Sequence, residues 1–171
     1  MEISIMANPF STLVDGFVDR QGRLCALLIL PLCGVVIYEV IMRYVLNAPT
    51  IWGFEMTTFL YGVHYMLGLA YTELHNGHVK VDIFTARIKK RPATILSIVT
   101  SLVIFIPVFT LLTYWTWIFA INSAKMMEKN PTSWAPSIWP IKILMAFSFT
   151  LLLLQGLSKL FHDLASLKDR S

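Results

Sequence analysis

Charge is what this chain has least of. Of 171 residues, 14% are Asp, Glu, Lys or Arg, whereas 56% are hydrophobic. A soluble domain carries roughly 25% charged and 45–50% apolar residues, and a small one has too little interior to hide the excess. A bilayer is therefore the better solvent. Cysteine is scarce as well. Cys25 and Cys33 fall in one helical run, ~12 Å apart along its axis, which is beyond the reach of a disulfide. They read as packing residues. There is no Walker A loop, HExxH, GxSxG or CxxC, so no enzyme is expected. Asn130-Pro131-Thr132 is not a glycosylation site, because proline fills the middle position. No basic start precedes an early apolar run, so a cleaved signal is not expected. The net charge of +4 comes with no basic–aromatic pattern, which speaks against a nucleic-acid partner. The two halves show no inverted repeat of the kind that transporters use.

Long apolar runs are what the chain does have. A spanning helix needs about 20 mostly apolar residues. Four segments qualify, at about 24–46, 51–74, 93–121 and 141–161. None alternates like a barrel strand, and backbone groups in lipid must be satisfied internally, so each should be a helix. The expected fold is all-α: one membrane domain over residues 1–171 with four transmembrane helices. Phe10, Leu13, Val14, Phe17 and Val18 recur at helical spacing after Asn8-Pro9. They predict an amphipathic helix over 9–21 on the membrane surface. Between spans two and three, residues 75–92 read HNGHVKVDIFTARIKKRP. They are too short and too charged to span and predict a cytoplasmic interfacial arm held partly by anionic lipid. A plain basic loop is the alternative.

Basic residues set the orientation. Arg20, Arg23, Lys80, Arg87, Lys89, Lys90, Arg91, Lys159, Lys168 and Arg170 fall on one side of a four-span chain. Arg43, Lys125, Lys129 and Lys142 fall on the other. The positive-inside rule then puts both termini in the cytoplasm.

Residues 38–55, YEVIMRYVLNAPTIWGFE, keep three ionisable groups beside lipid. Glu39 and Arg43 stand at i and i+4 on one helix face and can pair. Asn47-Ala48-Pro49 reverses the chain, and Glu55 follows at the start of span two. This places Arg43 between two carboxylates, with Trp52 as an interface anchor. A structural lock on the hairpin, a role in substrate or ion passage, and a contact with a partner are all open readings. The loop of residues 122–140, with Trp134, Trp139 and three prolines, suits an interfacial anchor or a docking surface outside the membrane. His64 lies mid-span with no histidine at its depth, which suits helix packing better than haem. His75 and His162 could meet at the cytoplasmic edge.

Taken together, the pieces resemble the small membrane subunit of tripartite ATP-independent periplasmic (TRAP) transporters. They are E-x-x-x-R-Y at Glu39, Arg43 and Tyr44; NAPTIWGFE from Asn47 to Glu55; GHVKVDIF from Gly77 to Phe84; and WPIK with LLLLQG, Trp139–Lys142 and Leu151–Gly156. The resemblance implies a partner, the large membrane subunit, carrying the substrate and sodium sites. It implies a soluble periplasmic binding protein that delivers an organic acid, and a sodium gradient as the driving force. This chain would be a scaffold in the inner membrane with no cofactor of its own. Its motif residues would be Glu39, Arg43, Trp52, Glu55, His78 and Asp82, locking the outer corner and the arm. Members often carry two consecutive acids after the tryptophan; here Phe54 precedes Glu55, so a role for a second acid does not carry over. The competing expectations are a self-sufficient four-helix proton-coupled transporter using Glu39, and a haem-bearing electron-transfer subunit.

Overall fold

Prolines and positive-φ residues divide the chain. The computed structural model describes residues 9–75, 77 and 90–168, with Lys90, Arg91 and Lys168 described by backbone alone. Helix α1 spans Pro9–Ala26 and α2 spans Ile29–Tyr44. Pro31 explains the break between them. It has no N–H for the Leu27 carbonyl, and its ring crowds that oxygen. Leu30 N–H reaches Leu27 O instead at 3.1 Å, and Leu28 N–H reaches Cys25 O at 3.0 Å. After α2 the chain turns through Asn47 at φ 50°, a left-handed position that asparagine tolerates. Ala48 N–H closes the turn on Met42 O at 2.9 Å.

Helix α3 is Gly53–Leu74. Helix α4, Lys90–Thr100, runs into a π-helical stretch at Ser101–Phe105 and on into α5, Ile106–Lys125. Pro107 cannot donate to Val103 O, and a wider turn just before a proline relieves that defect. Met127 at φ 47° ends α5, with Glu128 N–H on Ser123 O at 3.1 Å, the 6→1 bond of a Schellman cap. Helix α6, Trp139–Lys168, is the axis of the bundle and packs against α1, α3, α4 and α5. Helix α2 packs on α3.

The core of the bundle is small. Val14, Val18, Ala70 and Leu151 are buried together, flanked by Tyr71, Leu74 and Leu154. Ser11, Ser123, Ser148 and Ser158 are also buried, as small residues are where membrane helices approach closely. Two glycines show how close. A Cβ on Gly22 would enter the Tyr71 ring, and one on Gly156 would enter that of Phe105.

Among the described residues, three helical stretches are long and apolar enough to cross a membrane: Pro9–Tyr44, Pro92–Lys125 and Trp139–Leu167. The expected second span, α3, has 22 residues. That gives ~33 Å, enough for a hydrocarbon core of about 30 Å. It is less apolar because it carries Glu55, Thr57, Thr58, His64, Thr72 and Glu73. The hydroxyls of Thr57, Thr58 and Thr72 donate to the carbonyls of Gly53, Phe54 and Gly68 at 2.8, 2.9 and 2.8 Å, so their polarity is satisfied inside the helix.

The N-terminal helix differs from expectation. It does not stop near residue 21 but continues to Ala26, and it packs on α3 and α6. Its buried stripe is Ser11, Val14, Val18, Gly22 and Cys25, while Phe10, Leu13 and Phe17 stay exposed. Bulk reads as the sticky face in a sequence, but close helix contact selects the small residues.

Candidate functional site

The α2–α3 corner is built on Glu39. This carboxylate is buried, at 9% exposure. Arg43, one turn on, donates from one terminal guanidinium nitrogen to Oε1 at 3.0 Å. Thr50, in the turn, donates its hydroxyl to Oε2. Gly53 N–H donates in turn to the Thr50 hydroxyl oxygen at 3.0 Å, capping the start of α3. Any side chain on Gly53 would collide with the Glu39 carboxylate and come within 2.7 Å of the Thr50 hydroxyl. Trp52 lies against α2, its ring stacked on Tyr38 with centroids 5.7 Å apart. Glu39 and Arg43 pair as their spacing implies, Thr50 joins them unannounced, and Trp52 packs on the same hairpin through Tyr38.

Glu55 does not join them. It is buried, but its Oε2 has no partner among the described residues, and Arg43 pairs with Glu39. The reason is helical phase. Glu55 is two residues past Gly53, about 200° around the axis from the face that touches Glu39. It shares a face with Phe59, whose ring lies 6.5 Å from Trp134 in the 126–138 loop. That loop is tied shut by Asn130 N–H to Pro136 O at 2.8 Å and Ile138 N–H to Glu128 O at 3.0 Å. Lys142 clasps it to α6 through Glu128 at 2.5 Å, with its ammonium 4.0 Å above the Phe119 ring. The Lys142 ammonium holds the Glu128 carboxyl below its usual range. His78 and Asp82 lie outside the described residues.

A second polar cluster closes the other end of the bundle. Asp15 on α1 accepts Gln155 Nε2 at 2.9 Å and Ser158 Oγ at 2.8 Å, and its other oxygen is 3.1 Å from His162 Nε2. Lys159 pairs with Glu73, and Ser97 donates to Asp163 at 2.7 Å. Asp19 bonds Arg23 at 2.5 Å and lies 3.6 Å from His75. His75 and His162 are therefore each drawn to an aspartate of α1 rather than to one another. One signal could have found the cluster: Gln155, Ser158 and His162 form a polar stripe at 3- and 4-residue spacing on an otherwise apolar helix. In the middle, His64 Nδ1 sits 3.0 Å from Cys25 O, and Cys25 Sγ donates to His64 O at 3.2 Å. A carbonyl only accepts, so the His64 proton is on Nδ1. This is the packing role that the sequence suggested.

These features define an all-helical membrane protein whose ionisable groups join helices at both ends of a bundle. The family model described as "Tripartite ATP-independent periplasmic transporters, DctQ component" matches residues 32–166. The chain belongs to this family, the small permease component of TRAP transporters, a family of transporter parts rather than of enzymes. The match takes in the Glu39 corner and all three Asp15 partners, while α1, with Asp15 itself, precedes it. No curated protein matches the chain.

Proposed function

We propose that the chain is the scaffold subunit of a sodium-driven TRAP importer in the bacterial inner membrane. It pairs with a large membrane subunit that carries the substrate and sodium sites. A periplasmic binding protein delivers an organic acid to that assembly. The chain crosses four times with both termini in the cytoplasm, α3 providing the second crossing and the end of α1 completing the first. The interfacial arm expected over residues 75–92 falls largely outside the described residues.

Family membership supports this reading, and one observation carries it. The Glu39 carboxylate is held on both oxygens, by Arg43 and by Thr50. A carboxylate that shuttled protons through the chain would need a state in which it is free. This one is held as a lock, which supports the scaffold reading over a self-sufficient transporter.

The test is a mild-detergent pull-down of the tagged chain from its native membrane, followed by uptake assays in proteoliposomes. A stoichiometric large membrane partner is expected, with uptake only when both are present. A chain that emerges alone and imports solute by itself would overturn the proposal.

A further inference from the structure

A half-open groove of about 220 Å³ runs between α2 and α3, walled by Val36, Val40, Tyr44 and Phe54, with Glu39 and Arg43 at its floor. Its apolar walls are exposed: Val36 by 40%, Val40 by 48%, Tyr44 and Phe54 by 74% each. The Arg43 side chain is half exposed, at 50%. One terminal nitrogen of its guanidinium holds Glu39; the other and Nε donate to nothing among the described residues. Arg43 stands in the last turn of α2. In a membrane helix that is headgroup depth, where lipid phosphates lie and where aromatic rings such as stacked Tyr38 and Trp52 concentrate.

We propose that this groove is a binding site for one phospholipid, its phosphodiester on Arg43 and an acyl chain along Val36 and Val40. A planar guanidinium with spare N–H donors matches two phosphate oxygens, and it does so better than an ammonium would. Glu39 lines the same groove, but its two oxygens are held by Arg43 and Thr50, which leaves the spare guanidinium donors for the phosphate. The apolar walls favour a lipid over a free anion. The site rests on the membrane placement of α2 and α3 and needs no property of the large subunit.

The test is native mass spectrometry of the full chain, delipidated and then offered phosphatidylethanolamine or, as a phosphate-free control, monogalactosyldiacylglycerol. The wild type should retain one phospholipid in preference to the galactolipid. Arg43→Gln should weaken that retention about tenfold, as loss of a charged hydrogen bond implies, and Arg43→Lys should retain an intermediate amount. Val40→Trp fills the groove and leaves the Glu39–Arg43–Thr50 corner intact, so it should abolish retention without unfolding the chain. Equal retention of the two lipids, or unchanged retention in Val40→Trp, would overturn the site. So would a photo-crosslinker at position 40 that captures the large subunit rather than lipid in the assembled complex. A Val40→Trp chain that still assembles and supports uptake separates failure of this site from failure of the scaffold reading.

Discussion

Gly53→Ala is the sharpest perturbation the structure offers. The added methyl would overlap the Glu39 carboxylate and stand 2.7 Å from Thr50 Oγ1. Both obstacles are side-chain ends, so they can swing away, and the cost is the bonds they leave. Two are lost: the Thr50 hydroxyl to Glu39, and Gly53 N–H to Thr50. A hydrogen bond to a charged group contributes about 1.5–3 kcal/mol, while interhelical bonds in membranes average roughly 0.6. Removing a glycine returns at most about 1 kcal/mol of chain entropy. The net expectation is a loss of about 1–3 kcal/mol. Gly34 is the control: it lies in α2 with open space around its Cβ position, so Gly34→Ala should be neutral or slightly stabilising. The assay is reversible unfolding in mixed detergent micelles, followed by helix content, with a cycle through Thr50→Val. If the cost passes through the hydroxyl, Gly53→Ala must cost less in the Thr50→Val background. Additivity within about 0.5 kcal/mol, or a Gly53→Ala chain as stable as Gly34→Ala, would refute the account of the corner.

Three more outcomes are expected. Glu128 titrates below its ordinary value of 4.5 because Lys142 stabilises the anion, so the loop clasp is complete above that value and is lost as pH falls through the lower, folded one. Glu128→Gln should remove this acid-dependent component from a pH series of Trp fluorescence or thermal midpoints; an unchanged pH profile would show that the clasp has no such role. Asp15→Asn removes the charge from an acceptor of three contacts, and should speed amide exchange along Pro9–Ala26 about thirtyfold, corresponding to ~2 kcal/mol, with α5 unaffected. Exchange as slow as wild type would mean that Val14 and Val18 alone dock the helix. Gly156→Ala should destabilise by about 1–3 kcal/mol through collision with Phe105, and Phe105→Leu should restore much of that loss; absence of rescue would locate the strain elsewhere.

The fold class was legible because lipid imposes one rule on every segment, and the rule shows in composition. The helix-breaking features were half legible. Pro31 and Pro107 stand in the sequence, but whether a proline breaks a helix or widens a turn depends on what receives the freed carbonyl. At Pro31 the helix ends and restarts; at Pro107 a π turn absorbs the defect. The α1 face was half legible: Val14 and Val18 of the apolar stripe are buried, but periodicity cannot tell lipid from protein as the neighbour, and it gave no weight to Ser11 and Gly22 in the same stripe. Glu55 was placed beside Arg43 by proximity in the chain, though 100° per residue already turned it away.

The two polar clusters differ in how they could be found, and this bears on what the chain does. Glu39, Arg43 and Thr50 are close in sequence, so one short hairpin makes the whole lock and a motif can carry it. Asp15 and its partners are some 140 residues apart, so their pairing exists only once α1 and α6 have met. The first cluster fixes a hairpin, and the second fixes the bundle. A moving transport domain would need such bonds to break in each cycle. Placed at opposite ends of the bundle, these bonds instead make sliding of α2 past α3 and of α1 past α6 costly. That property supports the scaffold role proposed above, a stationary part against which the large subunit moves.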